Sequence, residues 1–252
     1  MDEKHTKLGV GTFIVREDAA ADLEKTLGRL ARIGYDGVEL LGFFGKTAKE
    51  IRPLLQNLNI HAFGDHVPVT ELLTDPQRVI EAHLEVGCAY MTLSLDKEVV
   101  VSQPFDRLAE QYEAAVNFCL QGGITPLYHN HDFDMQGDAP FTECILDTVR
   151  ELRFEPDLGW MIVAGKDPAQ YITKYQNRIR VVHLKDVFMT EEGFVFRPTG
   201  YGITNTPALL PMIQACKPDW LMVDHDLAYE RDSYDDLRLS YEYVRALLRV
   251  AS

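Results

Sequence analysis

The chain has 252 residues, 46 % of them hydrophobic, and a formal net charge of −14 from 25 Lys and Arg against 39 Asp and Glu. That apolar content excludes a disordered chain, and the length suits a single eight-fold β/α barrel, about 250 residues. The acidic balance argues against a protein that tracks nucleic-acid phosphates or docks on an anionic membrane.

Short β-rich runs alternate with amphipathic stretches along the chain. Leu8 to Phe13 is the first strand candidate. Asp18 to Ile33 follows as a helix, with Leu23, Leu27, Leu30 and Ala31 on one face and Gly34 as its stop. Asp36 to Leu41 is strand two, Thr47 to Leu58 a helix, and Ile60 to Val67 strand three. Asp75 caps a helix that has Pro76 in first position and runs to Val86. Ala89 to Leu95 is strand four, and Phe105, Leu108, Tyr112, Ala115, Val116 and Cys119 mark the next helix. The run Ile124 to Phe133 holds strand five, and Phe141 to Arg150 a helix. Residues 153–157 form strand six. Asp167 with Pro168 opens another helix, and residues 179–186 form strand seven. Phe188 to Asn205 is the longest non-periodic segment and reads as a loop. Pro207 to Ala215 is helical, residues 220–226 are strand eight, and Leu237, Tyr241, Val244 and Leu248 face one way on a closing helix.

Eight strand–helix units without a linker predict one domain over residues 1–252, α/β in class, with a parallel sheet closed into a (β/α)8 TIM barrel. An open doubly wound sheet is the alternative. It expects a glycine-rich phosphate loop after strand one, but the G-V-G-T-F of Gly9 to Phe13 starts inside the strand and has no third glycine. Cys88, Cys119, Cys144 and Cys216 make no CxxC and read as free thiols of a reducing compartment. The opening M-D-E-K-H-T-K has no apolar signal core, and no run reaches the ~18 apolar residues of a membrane span. A soluble cytoplasmic protein is expected.

Four of the strand-like runs end in ligand-type residues. Strand five ends in His129 and His131, two apart and so on one side of a strand. Strand six ends at Asp157, strand seven at His183, Lys185 and Asp186, and strand eight at Asp224, His225 and Asp226. With His66, five of the eight histidines fall at strand C-termini. Buried imidazoles each need partners, so five converging rings point to a site rather than to packing. Carboxylates gathered in a barrel mouth repel one another. A divalent cation removes that cost, and the mixed N/O set suits Mn²⁺, Zn²⁺, Co²⁺ or Fe²⁺ better than Ca²⁺. Lys185 beside it can hold an oxyanion or move a proton, or else pair with Asp186 at the surface. Trp160 either packs at the mouth or stacks on a sugar. Phe43 and Phe44 either wall a pocket or pack under a loop.

Y-D-G-V-E-L, Y-H-N-H-D-F, D-L-G-W with A-G-K-D-P, H-L-K-D and V-D-H-D follow one another along nearly the whole chain. In that order they resemble the sugar phosphate isomerase/epimerase family of xylose isomerase-like barrels, which includes inosose dehydratase, tagatose-type epimerases and the AP endonuclease family. The resemblance implies one divalent metal held by His129, Asp157, His183 and Asp224. His131 is then the base or a substrate contact, although the two histidines of strand five can exchange roles. Glu39 and His66 would face the substrate, with Glu39 a second choice of base. Trp160, Asp186 and His225 are expected to contact substrate as well. Three positions depart from the family pattern: Asp224 where many relatives carry Glu, Thr199 to Gly202 without an acid, and Thr12 in place of a glutamine.

The expected activity is a metal-dependent isomerase or epimerase, or a dehydratase or lyase, on a sugar, keto-sugar or polyol. His131 or Glu39 removes a proton α to a carbonyl, and the metal and Lys185 stabilise the enediolate. The alternative is a non-catalytic sugar-binding or accessory subunit of a carbohydrate-processing complex; DNA repair is a distant third. The expected partner is a small-molecule sugar, with no nucleic acid and no membrane. A homo-oligomer is allowed. No basic cluster beyond Lys185 stands at a strand end, which favours an unphosphorylated substrate.

Overall fold

The computed structural model describes residues 6–229 and 231–250. Most of the N-terminal stretch read above for a signal core, residues 1–5, lies outside them. Eight parallel strands form the barrel: β1 (Lys7–Gly11), β2 (Gly37–Leu40), β3 (His61–Pro68), β4 (Tyr90–Ser94), β5 (Thr125–His129), β6 (Arg153–Glu155), β7 (Val181–His183) and, after an inserted hairpin, β10 (Trp220–Val223). β1 to β6 are hydrogen-bonded in sequence order, β10 pairs with β1, and β7 pairs with β10. Parallel bridges Phe154↔Ile179 and Asp157↔His183 join β6 to β7 and close the ring. A helical segment follows each barrel strand, as alternating β and α units require. Among the described residues no helix is long and apolar enough to cross a membrane.

The elements sit close to their sequence assignments, with differences that have local causes. The first long helix is broken, because Asp22 turns out of helical geometry and its side chain accepts from Lys25 N, so that Leu23–Ile33 starts afresh. Strand five stops at His129, and Phe133–Met135 is a 3-10 turn. The segment read as a loop after β7 carries an antiparallel hairpin, β8 (Asp186–Thr190) with β9 (Gly193–Arg197). Its signal was present in Val187-Phe188-Met189 and Phe194-Val195-Phe196, two β-prone runs around Glu191-Glu192-Gly193.

The barrel interior has two storeys. The N-terminal one is apolar: Phe63, Leu127, Val181, Trp220 and Met222 form a small cluster of their own, and Trp220 stacks on Phe63 at 4.3 Å. Gly9 has no side chain because a Cβ there would run into the Phe63 ring. The larger core lies between the strands and the helices. The C-terminal storey is filled instead by Glu39, Thr92, Glu155, Asp157 and His183, all buried. Burying acids is costly unless they are paired, so this half is where the sequence departs from simple packing.

Beside the mouth, Asp65 anchors the turn after β2. Its Oδ1 accepts from Gly42 N at 2.7 Å, and its Oδ2 faces His83 Nε2 at 3.0 Å. His83 Nδ1 also points at an acceptor, Val79 O, at 2.7 Å. Two acceptors call for two ring protons, so the ring is an imidazolium. Burial opposes that charge, but Asp65 outweighs it and raises the His83 pKa above its ordinary 6.5. A raised pKa contributes stability that is full below 6.5 and is lost as pH rises through the raised value. His83→Leu is therefore expected to cost about 1–3 kcal/mol, and more at pH 6 than at pH 9. Urea melts at the two pH values check this, and equal losses would contradict it.

Candidate functional site

Four strand ends deliver their side chains to one place. His183, at the end of β7, is 1 % exposed, and its ring lies between two pairs of carboxylates. Nδ1 stands 3.1 Å from Asp224 Oδ2 and 3.7 Å from Asp157 Oδ2. Nε2 stands 3.2 Å from Glu155 Oε1 and 3.3 Å from Glu39 Oε2. His129 packs against it with ring centroids 4.4 Å apart, and His131 lies 4.8 Å from His129. Lys185 Nζ meets Asp157 at 2.9 Å and both Asp224 and Asp226 at 2.8 Å. Lys185 is thus no surface lysine paired with Asp186, but a buried ammonium within a ring of three acids. Gly159 makes room for it, since a Cβ there would fall 2.8 Å from Lys185 Cγ.

A cavity of about 500 Å³ opens over this group, lined among others by Glu39, His66, His129, His131, His183, Lys185, Asp224 and Asp226. A larger concavity, about 820 Å³, lies beyond β2 and β3 against the helices Ala48–Leu58 and Pro76–Val86. Its lining includes side chains of both charges, such as Lys46, Lys49, Glu81 and Glu85. The ligand-type residues converge in the smaller one.

Not every expected residue reaches the cavity. Asp186 turns the other way, accepting backbone N–H groups from Val187 and Thr204 on Oδ1 and from Gly200 and Gly202 on Oδ2, all at 2.9–3.0 Å. It ties down the segment after the hairpin. His225 also faces away, its Nε2 2.9 Å from Leu227 O and 3.7 Å from Asp236. Neither residue lines the cavity, although both are expected from the sequence to contact substrate. Each is the neighbour of an inward residue, and alternate residues of an extended chain point to opposite sides. Trp160 stands beside the cavity, 5.8 Å from His131 and packed on Phe194 and Phe196 of the hairpin. Phe43 packs on His83 at 4.9 Å, and neither Phe43 nor Phe44 lines the cavity. Glu155 and Thr92 were not anticipated. Glu155 lies two residues before Asp157 in the chain, and that spacing was the available signal.

The charge states follow from this packing. Burial works against ionising Glu39, but His66 and His183 outweigh it and hold its carboxyl well below the ordinary range. Burial likewise opposes a charge on His66, yet Glu39, 3.0 Å away, raises it to about 9. His131 is pushed down to about 3 by burial and by Lys185, so its imidazole is neutral. Burial lifts Asp157 to about 6 even against Lys185.

Two groups of side chains could hold a cation: His129, Asp157 and His183, and Glu39, His66, Glu155 and His183. The ligand atoms of each lie within 4.8 Å of one another. In the first, His129 Nδ1 is buried without a hydrogen-bond partner, and Asp157 Oδ2 accepts no aligned hydrogen bond despite its contact with Lys185. Asp224 Oδ2 adds a fourth donor beside His183 Nδ1. One nitrogen from each of His129 and His183, the latter after giving up its Nδ1 proton, and two carboxylates fit a divalent metal of borderline softness.

A closed barrel with a histidine–carboxylate site at the C-terminal mouth defines the class of protein. Residues 27–243 match the model of the xylose isomerase-like TIM barrel family, and the chain belongs to that family. It is 23 % identical over 195 residues to an inosose dehydratase of Geobacillus kaustophilus, an alignment that covers 65 % of this chain and spans 62 % of the relative's length. A sugar phosphate isomerase/epimerase from Parabacteroides distasonis superposes with a TM-score of 0.81 at 18 % identity, over 98 % of this chain and 96 % of that one. The IolI protein with a bound zinc atom superposes with a TM-score of 0.75 at 13 % identity, over 97 % and 99 % of the two chains.

Proposed function

We propose that the protein is a metal-dependent enzyme that removes a proton α to the carbonyl of a sugar or keto-polyol, leading to elimination of water or to isomerisation. The observation that carries this reading is the convergence of His129, Asp157, His183 and Asp224 beneath a cavity that His66 and His131 also line. Relatives named inosose dehydratase favour elimination, and the zinc-bound IolI neighbour supports the metal.

His129, Asp157, His183 and Asp224 would hold the cation, which supplies Lewis-acid polarisation of a carbonyl oxygen. His131 is the base. It lines the cavity, its ring nitrogens meet no hydrogen-bond partner among the described residues, and its ring is braced by Phe133 and Trp160. His66, paired with Glu39, faces the same cavity and donates a proton to a departing hydroxyl, which leaves as water. Lys185 orients Asp157, Asp224 and Asp226. Glu39 is less suited to the base role, because its carboxylate is engaged by His66 and faces Thr92 and His183.

The substrate is unphosphorylated. Lys185 is the sole Lys or Arg among the described residues lining the cavity, and three acids already neutralise it. Barrels frequently bind phosphate in the loops after strands seven and eight. In this chain the amide groups of that region close on Asp186 instead. Inorganic phosphate at millimolar concentration is expected to leave the thermal midpoint unchanged, whereas an unphosphorylated keto-polyol such as an inosose raises it. A phosphate-dependent rise contradicts the unphosphorylated-substrate reading.

The test of the function as a whole is metal content after chelation and reloading, with turnover of inososes and keto-sugars followed as loss of the α-proton in D₂O. About one equivalent of metal and metal-dependent exchange are expected. A protein that takes up no Mn²⁺, Zn²⁺, Co²⁺ or Fe²⁺ but is still stabilised by a sugar would instead be a binding subunit.

A further inference from the structure

Glu155 has no access to the cavity. It is 0 % exposed, near the end of β6, on the same side of the chain as Asp157. One carboxylate oxygen is fixed from behind, because Oε2 accepts from Thr92 Oγ1 at 2.6 Å. The other, Oε1, is buried without a hydrogen-bond partner and lies 3.2 Å from His183 Nε2, which also lacks one. Glu39 Oε2 is the other acceptor in reach of Nε2, at 3.3 Å, but His66 engages it at 3.0 Å. On its opposite edge, the His183 ring donates from Nδ1 to Asp224 Oδ2 at 3.1 Å, with Asp157 Oδ2 at 3.7 Å, so a cation bound there displaces the Nδ1 proton.

We propose that Glu155 is a positioning residue placed to accept a hydrogen bond from His183 Nε2–H, so that it is the Nδ1 proton that is displaced and Nδ1 that meets the cation held with Asp157, Asp224 and His129. This rests on the metal reading above. A ring that binds a cation keeps one proton, and the nitrogen that binds must be the bare one. Whatever accepts the proton on the other nitrogen therefore sets which edge binds and how the ring is turned. Glu155 has a free oxygen at the right atom, no other partner for that oxygen, and a second oxygen locked by Thr92. Because it touches neither cavity nor substrate, its effect runs through His183 alone.

The experiment is titration of the metal-free full chain with Mn²⁺ by calorimetry, on the wild type, Glu155→Gln, Glu155→Leu and Thr92→Val. The tautomer of His183 is read by ¹⁵N NMR of the Zn²⁺-loaded protein. Loss of such a partner costs roughly 10–100-fold in metal affinity. Glu155→Leu is expected to lose that much and to show a mixed His183 tautomer. Glu155→Gln keeps an acceptor oxygen and should lose less than about tenfold, with Thr92→Val between the wild type and the leucine variant. If the leucine variant does not fold, the glutamine and valine variants carry the comparison. Unchanged affinity and an unchanged tautomer throughout overturn the proposal while leaving the metal reading intact. A wild type that binds no Mn²⁺ overturns both. Two equivalents in the wild type, falling to one in Glu155→Gln, also overturn it, since Glu155 would then be a direct ligand.

Discussion

His183→Ala is expected to abolish metal binding and turnover together. The ring belongs to both groups of cation-binding side chains, so no other single residue removes a donor from each. It also separates four buried acids, with Glu39, Glu155, Asp157 and Asp224 lying 3.1–3.7 Å from its nitrogens. Burial opposes a charge on His183, but the surrounding acids outweigh it and raise its pKa well above the ordinary value. Removing the ring leaves those acids facing a void, and breaking such a buried pairing costs about 3–5 kcal/mol. His183→Gln keeps a neutral amide in that space and separates loss of function from loss of fold. Metal content, exchange of the substrate α-proton and a thermal melt should be measured on both variants. Either variant retaining one equivalent of metal and wild-type exchange would sink the site assignment.

Lys185→Met has the second large effect, and here stability is the first readout. The ammonium is 1 % exposed and contacts three carboxylates at 2.8–2.9 Å. Methionine matches the length of the stem and removes only the charge and its donors. The expected loss is about 3–5 kcal/mol at pH 7, a fall of roughly 10 °C in the melting midpoint for a chain of this size. Its pH window follows from the shifts. Burial opposes ionising Asp224, but Lys185 and His183 outweigh it and lower its pKa, so its share is present above the ordinary 3.8 and lost as pH falls through the lowered value. Lys185 is raised by its acids against burial, so its share is full below its ordinary 10.5. The deficit of the variant should therefore be widest between about pH 4 and pH 10 and narrow in acid, where the freed carboxylates take up protons. Mn²⁺ should return part of the lost stability, because a divalent cation neutralises the same Asp157 and Asp224 oxygens. A deficit that stays constant from pH 3 to pH 7 would show that packing, not charge, dominates at Lys185.

Asp224 is held on both of its carboxylate oxygens. A glutamate, one methylene longer, would put its carboxylate farther into the mouth. The aspartate instead rests against Lys185 Nζ at 2.8 Å and His183 Nδ1 at 3.1 Å, and its other oxygen accepts from His225 N at 2.9 Å. The Thr199 to Gly202 turn carries no acid. Thr199 serves as a strut, its hydroxyl donating to Leu184 O and its amide donating to Ser240 Oγ at 2.9 Å.

The order of the sequence alone determined the eight-unit barrel and the strand ends that feed its mouth. Period-2 and 3.6-residue hydrophobicity, together with caps such as Asp75-Pro76 and Asp167-Pro168, are local properties of the chain and are legible without coordinates. The same alternation held unused information. Once Lys185 and Asp224 point inward, Asp186 and His225 must point outward. What only the tertiary structure decided is which inward groups meet. Closure of the ring brings Thr92 of β4 against Glu155 of β6, and Glu39 of β2 against His183 of β7. The hairpin folds back so that its Phe194 and Phe196 pack on Trp160. Those contacts depend on register and depth across strands far apart in sequence. A pattern of residue types along one chain carries the direction of each side chain but not its height in the barrel, and height decides whether a buried carboxylate becomes a ligand, a partner of one, or a tie for a loop.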